Sequence, residues 1–359
     1  MWKKNICFIS QFPPPIHGLS KAVDTVYNSK LKENFSFEKV NITDNKRFIN
    51  NIIKILKSKS DLFYFTISQT KGGNIRDLII LKILLFKRKK YVIHLHGGYY
   101  RTLLENEISK LQKKINYKLI KNMDGAIVLS ESLKYNFEGI IDSNKIFVVP
   151  NCVDDEFFMS DEEFNEKLNN NEDNICNILY LSNFIQTKGY RDVLKLANLE
   201  KERCMCGEEK YLHFNFAGAF FEEEEKKFFF EYIKNNGLEK YVTYHGIVKG
   251  EQKKELLKKN NIFILLTRYK NEGQPISIIE AMGNGMAIIS TNHAGIPDLV
   301  KHNLNGYINS KIDIKDIYNW ILSNRNCLNK IICNNRKEIK ENYMQDMYLQ
   351  RMKHIFEIL

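Results

Sequence analysis

Two glutamates, Glu272 and Glu280, stand eight residues apart in a segment whose residue types suit the binding of a phosphate and a sugar. Pro275 is favourable at the first position of a helix. The backbone N–H groups of Gly273 and Gln274 would then lie at the helix N-terminus, which attracts anions. A carboxylate such as Glu280 can accept two hydrogen bonds from the vicinal diol of a ribose. The segment therefore predicts a site for a phosphorylated, ribose-containing ligand.

A simpler interpretation of the same two glutamates needs no ligand. Glu272 could stabilise the helix dipole, and Glu280 could be a solvated residue on the helix surface. However, Glu280 is flanked by apolar residues on both sides in the sequence. Because a carboxylate in apolar surroundings is costly without a partner, this interpretation is the weaker one.

Two further loops place a glycine or a lysine where a helix is predicted to begin. Gly18 follows three prolines and precedes a predicted helix, and a glycine loop at a helix N-terminus suits a phosphate. Lys188 stands directly before Gly189, where its ammonium group could neutralise a diphosphate. A plain strand-to-helix connection and a solvated surface lysine are the alternatives for these loops.

Two histidines occupy alternate positions at the end of a predicted strand, so His94 and His96 point to the same side of a sheet. A metal pair is one interpretation, although no third ligand lies close in sequence. A structural histidine hydrogen-bonded beneath the following Gly97-Gly98 turn is a second. A polar contact between His96 and a substrate is the third, and it is the one that we favour.

Two sets of short apolar runs predict two parallel sheets, because segments of helical period separate the runs. The first set is predicted at 6–10, 62–66, 91–95, 125–129 and 146–149. The second set is predicted at 178–181, 213–217, 242–245, 262–266 and 287–290. The acidic, Asn-rich stretch between the sets indicates a linker. We therefore predict domains over 1–155 and 175–334, a linker over 156–174 and a terminal helix over 335–359.

The composition is that of an ordinary globular protein. The chain has 359 residues, of which 43% are hydrophobic and 27% are charged, and its net charge is +11. These values exclude a disordered or fibrous chain. The seven scattered cysteines favour a reducing compartment over a disulfide framework. No secretory signal and no apolar stretch of roughly 18 residues are visible, so we expect a cytoplasmic protein.

The positive charge is concentrated in one stretch of the chain. Residues 71–121 contain 13 Lys and Arg against 3 acidic residues, which nearly accounts for the whole net charge. An anionic membrane surface would attract such a patch, and a solvated basic face is the alternative. The basic residues do not interleave with the aromatic residues of a nucleic-acid-binding module, so we expect no nucleic acid as partner.

Taken together, these motifs resemble the retaining glycosyltransferases of the GT-B fold, specifically glycosyltransferase family 4, also called glycosyl transferases group 1. The segment 272–282 is close to the family's most specific motif, E-x7-E. Residues 288–298 with 305–306 resemble its S-T-x-x-G-G-I-P-E and N-G run, and 149–154 resembles its I-P-N-G-V-D turn. The proline-rich 13–20 looks like the exopolysaccharide or capsule branch.

The resemblance implies two Rossmann-like, doubly wound parallel-sheet domains that face each other across a cleft, with the helix over 335–359 packing on the first. It implies retaining transfer of a hexosyl or N-acetylhexosaminyl group from a nucleotide-diphosphate sugar to a glycan or lipid-linked acceptor. Cell-surface polysaccharide biosynthesis is the implied setting. We expect neither a metal nor a further cofactor, and a location that is cytoplasmic or peripheral on the inner face of the membrane.

The resemblance also implies roles for individual residues. The expected catalytic residues are Glu272, which would face the donor sugar, Lys188, which would neutralise the leaving diphosphate, and His96, near the sugar and the acceptor. Glu280 would hold the ribose. The complete set of expected donor-binding residues is Gly18, Asn183, Gly246, Gly273, Gln274, Pro275 and Glu280.

Three positions depart from the family pattern. Asn183 stands where the family commonly has an arginine, so Lys188 would carry the phosphate charge alone or with help from Arg268. Cys152 and Ala294 each replace a usual glycine. Three alternatives to a transferase stay open: a GT-B sugar-nucleotide epimerase, a nucleic-acid-binding protein, which the basic charge would suit, and an inactive partner subunit, which Asn183 would suit.

Overall fold

The structure is a computed structural model. It describes residues 3–15, 17–169 and 175–359. The chain divides into two compact units. The N-terminal unit comprises Met1–Cys152, Lys270–Gln274 and Gln345–Leu359. The C-terminal unit comprises Val153–Tyr269 and Pro275–Met344.

A parallel sheet forms the centre of the N-terminal unit. Its strands are β1 (Lys4–Ser10), β2 (Phe35–Asn41), β3 (Leu62–Thr66), β4 (Lys90–His94), β5 (Gly125–Val128) and β6 (Ile146–Val148). They are arranged in the order β2-β1-β3-β4-β5-β6. The central strands β3 and β5 are buried along their whole length, which explains their unbroken apolar sequence.

Helices connect these strands. They are α1 (Gly18–Tyr27), α2 (Phe48–Lys57), α3 (Lys71–Lys87), α4 (Tyr100–Thr102) and α5 (Lys110–Ile120). The helix α3 packs against both α2 and α5. Parallel strands require such crossover connections, because each strand must start again at the same edge of the sheet.

The C-terminal unit contains a second parallel sheet. Its strands are β7 (Cys176–Leu181), β8 (Leu212–Ala217), β9 (Val242–Tyr244), β10 (Ile262–Leu265), β11 (Ala287–Thr291) and β12 (Gly306–Asn309). The order is β12-β11-β10-β7-β8-β9, so the first strand of the unit lies in the middle. The chain direction across the sheet reverses between β7 and β10, and ligands of doubly wound folds bind at this switch point.

The helices of this unit are α6 (Asp161–Asn169), α7 (Tyr190–Met205), α8 (Glu223–Asn235), α9 (Gly250–Lys259), α10 (Ile276–Gly283), α11 (Ile296–Leu299), α12 (Ile314–Ser323) and α13 (Leu328–Asn342). Together with the two sheets, they confirm the predicted α/β class with two doubly wound units. The boundary between the two units lies slightly earlier in the chain than predicted, because the C-terminal unit starts at Val153.

The segment predicted as a linker differs most from expectation. Most of it belongs to the C-terminal unit, as α6 and the short 3-10 helix Asp155–Phe157. The acidic side chains pair with lysines and arginines of that unit: Asp161 with Arg336 at 2.8 Å, and Glu163 with Lys258 at 2.5 Å. These carboxylates therefore hold the segment to the C-terminal unit through ion pairs, and the segment is not a solvated linker. Residues 170–174 of the predicted linker lie outside the described residues.

The expected terminal helix is interrupted. Its first part lies in α13 of the C-terminal unit, and the second part is α14 (Gln345–Ile358), which belongs to the N-terminal unit. The ring of Phe356 on α14 packs against Phe8 at 5.9 Å and Tyr64 at 6.1 Å between ring centroids. The C-terminal helix is thus part of the core of the N-terminal unit.

Candidate functional site

Glu280 lies in the second turn of α10 and is 4% exposed. The ammonium group of Lys253, on α9, donates a hydrogen bond to its Oε1 at 2.6 Å. The same ammonium lies 4.1 Å from the centroid of the Phe157 ring. The partner that a buried carboxylate needs is therefore a lysine 27 residues earlier in the chain.

The helix that carries Glu280 begins one residue later than its sequence indicates. Pro275 is the N-cap residue, with φ −64° and ψ 119°, and Ile276 is the first helical residue. Since φ is fixed by the proline ring in either position, the difference is in ψ, which is extended and turns the chain into the helix. Asn284 follows the last turn and donates its side-chain amide to the Glu280 carbonyl at 2.8 Å.

Lys188 ends a short 3-10 helix, Gln186–Lys188, that follows β7. Gly189 comes next with φ 85°, and a Cβ atom there would clash with the Leu266 carbonyl oxygen. The Lys188 ammonium lies 4.9 Å from the centroid of the Tyr269 ring. Because Leu266 and Tyr269 follow β10, these contacts place Lys188 at the switch point of the C-terminal sheet.

Arg268 lies beside this lysine turn. Its backbone N–H donates to the Thr187 carbonyl at 2.6 Å, and its guanidinium pairs with Asp192 at 2.7 Å. The Arg268 side chain is 56% exposed. Arg268, the second positive charge considered for the diphosphate, thus lies next to Lys188. Its guanidinium is paired with the carboxylate of Asp192.

Asn183 and Gly246 lie just after β7 and β9, two strands of the same sheet that are separated by β8. Gly218, after β8, donates its N–H to the Gly246 carbonyl at 2.8 Å, and a Cβ on Gly218 would clash with the backbone of Ser182. The hydroxyl of Tyr180 donates to the Asn183 carbonyl at 3.1 Å. In the C-terminal unit the structure therefore gathers Asn183, Gly246 and Lys188 at the carboxyl ends of β7, β8, β9 and β10.

In the N-terminal unit, the rings of His94 and His96 pack against each other, tilted by 30°, with their centroids 3.9 Å apart. The Tyr64 hydroxyl lies 2.6 Å from His94 Nδ1. Burial holds the pKa of Tyr64 well above its usual value, so the hydroxyl keeps its proton, and the tautomer of His94 sets the direction of this hydrogen bond. The Nε2 atoms of both histidines are buried, and neither has a hydrogen-bond partner among the described residues. Buried polar atoms without partners are rare and indicate a ligand or an ordered water.

Both histidines are neutral at physiological pH. Burial lowers the pKa of His96 to about 3, and the charge that His17 can carry adds to the effect. Burial and the neighbouring His96 hold the pKa of His94 well below its usual range. His96 nevertheless keeps part of its surface exposed. A neutral imidazole of this kind can donate or accept a hydrogen bond without attracting an anion.

Gly18 is the first residue of α1, and the preceding His17 is the N-cap. His17 Nδ1 accepts from the Ser20 N–H at 3.3 Å, and the Ser20 hydroxyl lies 3.0 Å from the His17 N–H. His17 is close enough to His96 to influence its pKa electrostatically. The structure therefore brings the turn before Gly18 into the neighbourhood of the histidine pair.

The first half of the E-x7-E motif belongs to the N-terminal unit. Gln274 Oε1 accepts from the Asn151 N–H at 2.8 Å, and Asn151 Nδ2 donates to the Gln274 carbonyl at 2.9 Å. A Cβ atom on Gly273 would lie 2.7 Å from the His96 carbonyl oxygen. Glu272 is 8% exposed. The E-x7-E motif is one segment in the sequence, but it is divided between the two units. Glu272 belongs to the N-terminal unit and Glu280 to the C-terminal unit.

Sequence reasoning did not single out Lys253, Tyr64 or the pairing of Asn151 with Gln274. The apolar neighbours of Glu280 indicated that it needs a partner, but the lysine-rich α9 offers several candidates. Among the described residues, no group of three or more His, Cys, Asp or Glu side chains is placed to hold a metal ion.

The geometry defines a class of protein: two doubly wound α/β units, one with a lysine and a buried carboxylate at its switch-point edge, as nucleotide-binding enzymes have. A sequence comparison names the family. The family model described as Glycosyl transferases group 1 matches residues 159–338, about half of the chain. The protein belongs to this family of glycosyltransferases.

Two relatives illustrate the similarity in sequence. A glycosyltransferase of Methanocaldococcus jannaschii, described as uncharacterised, is 28% identical over 289 residues, which cover 77% of this chain and 70% of that protein. The amylovoran biosynthesis glycosyltransferase AmsK of Erwinia amylovora is 28% identical over 151 residues, which cover 41% of this chain and 35% of AmsK.

Solved structures share the fold. HepE of Anabaena, in complex with UDP, superposes with a TM-score of 0.75 at 16% identity, over 99% of this chain and 100% of HepE. Sucrose-phosphate synthase of Thermosynechococcus elongatus superposes with a TM-score of 0.75 at 13% identity, over 99% of each chain. At these identities the likeness establishes the fold alone.

Proposed function

We propose that this glycosyltransferase is a retaining enzyme that uses a nucleoside diphosphate sugar as donor and needs no metal. The observation that carries the proposal is Glu280, a buried carboxylate fixed by Lys253 in the unit that has the dinucleotide-binding strand order. Such a carboxylate suits the two hydroxyls of a ribose. Lys188 at the switch point supplies positive charge for the diphosphate. The UDP and UDP-glucose bound to HepE support a nucleotide sugar as donor.

In the proposed reaction, the bond between the anomeric carbon and the diphosphate oxygen breaks. The acceptor oxygen forms its bond to that carbon on the same face, and the acceptor proton passes to a phosphate oxygen of the leaving group. The products are the glycosylated acceptor and the nucleoside diphosphate. Lys188 would stabilise the charge that develops on the diphosphate, while Glu272 and His96 would contact the donor sugar. The two glutamates would not act as a glycosidase acid and base.

The donor is identified by thermal unfolding with UDP-, GDP- and ADP-sugars. A ligand at about 100 times its dissociation constant adds about 2.7 kcal/mol to the free energy of unfolding, which a melting experiment detects easily. We expect one nucleotide to stabilise the wild type and Glu280→Ala to lose this stabilisation. Glu251→Ala, on the exposed face of α9, is the matched control and should respond as the wild type does. Absence of stabilisation by every nucleotide sugar would contradict the proposed donor.

The retaining mechanism is tested on the product. NMR of the glycosylated acceptor reports whether the anomeric configuration equals that of the donor, and activity in excess chelator tests the metal-free chemistry. Inversion of configuration contradicts the mechanism. A change of the donor sugar without any acceptor would instead identify an epimerase. Binding of donor with neither reaction would identify an inactive partner subunit.

The acceptor is proposed to be a glycan or lipid-linked glycan of cell-surface polysaccharide biosynthesis, with a hexosyl or N-acetylhexosaminyl group transferred. The name of AmsK, an amylovoran biosynthesis enzyme, supports this setting. Transfer of label from the identified donor to water-soluble oligosaccharides or to a lipid extract distinguishes the two acceptor types. Label in neither fraction would count against both. Location in the cytoplasm stays a prediction.

A further inference from the structure

Two neighbouring helices of the N-terminal unit expose apolar side chains in regular rows. On α2, Ile49, Ile53 and Leu56 follow the i, i+4, i+7 spacing that places residues on one helix face. All three are exposed, whereas Asn51 and Ile55 on the opposite face are buried. The outward face of α2 therefore carries a row of large apolar side chains beside its lysines, which is unusual for a helix on a protein surface in water.

The helix α3 repeats this arrangement. Its exposed row consists of Ile75, Ile79, Lys82 and Phe86, again at intervals of four, three and four residues. The exposed fraction reaches 82% for Phe86. At 17 residues, α3 is about 25 Å long, so the row extends across much of the unit. None of the helices in the described residues is long and apolar enough to cross a membrane, and α3 is no exception.

The two rows lie on the same layer of the unit. The helices pack side by side, and the Lys87 ammonium at the end of α3 donates to the Leu56 carbonyl at the end of α2, at 2.7 Å. Both rows face away from the sheet, since both are solvent-exposed. We call the two rows together the α2/α3 surface. In the C-terminal unit, by contrast, the exposed apolar residues Phe221 and Leu304 lie outside the helices.

The exposed charges on these helices are all positive. The exposed basic residues on and directly after the two helices are Lys54, Lys57, Lys71, Lys82, Arg88, Lys89 and Lys90. The only acidic residue within 48–57 and 71–90, all of which are described, is Asp77. It is fully buried and pairs with Arg76 at 2.8 Å. Apolar side chains surrounded by unopposed lysines match the interface of an anionic bilayer, where the apolar groups enter the headgroup region and the lysines contact phosphate.

We propose that the α2/α3 surface binds an anionic lipid bilayer, with α2 and α3 lying in the plane of the membrane. Charge complementarity selects this occupant: a second copy of the chain would bring its own lysines against these lysines, which like charges oppose. The proposal goes beyond the sugar transfer, because it concerns where the protein works and not what it transfers.

The test is co-sedimentation of the full chain with vesicles, in the absence of donor and acceptor. We expect binding to vesicles of phosphatidylcholine mixed with phosphatidylglycerol, little binding to phosphatidylcholine alone, and weaker binding as salt rises. Phe86→Ser should weaken binding roughly tenfold, since a buried aromatic group is lost. The matched control is Phe221→Ser, which removes a phenylalanine of the C-terminal unit that is 72% exposed.

A second variant separates charge from apolar contact. Replacing Lys82, Lys89 and Lys90 by glutamine should weaken binding by roughly a hundredfold, since each lysine near an anionic surface contributes about a fivefold factor. The same replacement of Lys226, Lys227 and Lys234 in the C-terminal unit is the control and should have little effect. Thermal unfolding of every variant shows that each one is folded.

Three outcomes would overturn the proposal. The first is equal binding to both kinds of vesicle, and the second is an equal loss in Phe86→Ser and Phe221→Ser. The third is a wild-type dimer in sedimentation velocity that Phe86→Ser dissociates while vesicles do not bind, which would make the α2/α3 surface an interface between copies. None of these outcomes bears on the proposed transferase, whose donor binding is measured without lipid.

Discussion

The two units place polar groups at the carboxyl ends of their strands with opposite chemistry. The C-terminal unit uses full charges in pairs, Lys253 with Glu280 and Arg268 with Asp192. The N-terminal unit uses buried neutral histidines. Charged groups suit a ligand that carries charge, such as a diphosphate, whereas neutral imidazoles suit the hydroxyls of a sugar. The difference teaches that the same kind of sheet, with polar groups at its carboxyl edge, can offer either full charges or neutral hydrogen-bonding groups.

The largest expected effect concerns the Lys253–Glu280 ion pair of the C-terminal unit. Glu280→Gln leaves the Lys253 ammonium, whose side chain is only 19% exposed, facing a neutral amide. We expect the free energy of unfolding to fall by about 3 kcal/mol, because a largely buried charge loses its partner. Urea denaturation measures this quantity.

The double variant Glu280→Gln, Lys253→Met is its complement. It removes both charges, so it should recover most of the stability that the single variant loses. Glu251→Gln on the exposed face of α9 is the control, with an expected change within about 0.5 kcal/mol. A loss in Glu280→Gln no larger than in this control would show that the ion pair contributes nothing.

The next effect concerns the histidines of the N-terminal unit and depends on pH. The folded-state pKa of His96, about 3, lies below its ordinary value of 6.5, so between these values the unfolded chain binds more protons. The free energy of unfolding therefore falls as the pH falls below about 6.5. His96→Gln should remove about 1.4 kcal/mol per pH unit of this dependence, or about 2 kcal/mol between pH 6.5 and 5.

Denaturation at a series of pH values measures that slope. His354→Gln, an exposed histidine on α14, is the control and should leave the slope unchanged. Parallel curves for the wild type and His96→Gln would mean that His96 titrates normally in the folded protein, and the contrast between the two units would then disappear.

A smaller effect concerns Lys270–Gln274, which contains the first part of the motif and belongs to the N-terminal unit. Gly273→Ala should cost about 1.5 kcal/mol, because the added methyl group meets the His96 carbonyl oxygen, which is backbone and cannot move easily. Gly72→Ala on α3 is the control: nothing lies near its Cβ position, and alanine favours the helix. Chemical denaturation of the two variants should give changes of opposite sign. Equal stability would mean that 270–274 is loosely held.

The smallest effect is expected at Arg268. Its guanidinium is more than half exposed, and Asp192 also pairs with Lys195 at 2.8 Å, so Arg268→Ala should cost no more than about 1 kcal/mol. If Arg268 assists Lys188 at the diphosphate, the turnover number should fall while the stability hardly changes. A large loss of stability without loss of turnover would instead make Arg268 a structural residue.

Much of the fold could be predicted from the sequence, because buried parallel strands are continuous apolar runs. Two of the edge strands, β2 and β12, escaped this pattern, whereas the edge strands β6 and β9 were among the predicted runs. In β2 only Phe35 and Val40 are buried, so its sequence is not a continuous apolar run. The acidic segment that became α6 was misread for a related reason: its carboxylates have partners that are far away in the chain, such as Arg336.

The candidate site shows the same limit at the level of single residues. The sequence singled out Glu280 and Lys188, because a carboxylate among apolar residues and a lysine before a glycine are unusual. It could not choose Lys253 from the lysines of α9, because the choice depends on which face of α9 packs beside α10. Nor could it assign Gln274 to the N-terminal unit, since that depends on the hydrogen bonds with Asn151.

By itself, the sequence determined the two doubly wound sheets, the family motifs and the concentration of positive charge in 71–121, because each is a local pattern of residue types. The tertiary structure alone decided three things: the Lys253–Glu280 pair, the contact between the two neutral histidines, and the outward direction of the apolar rows on α2 and α3. Each depends on which side of an element faces its neighbours. Packing fixes that side, and residue types along the chain do not.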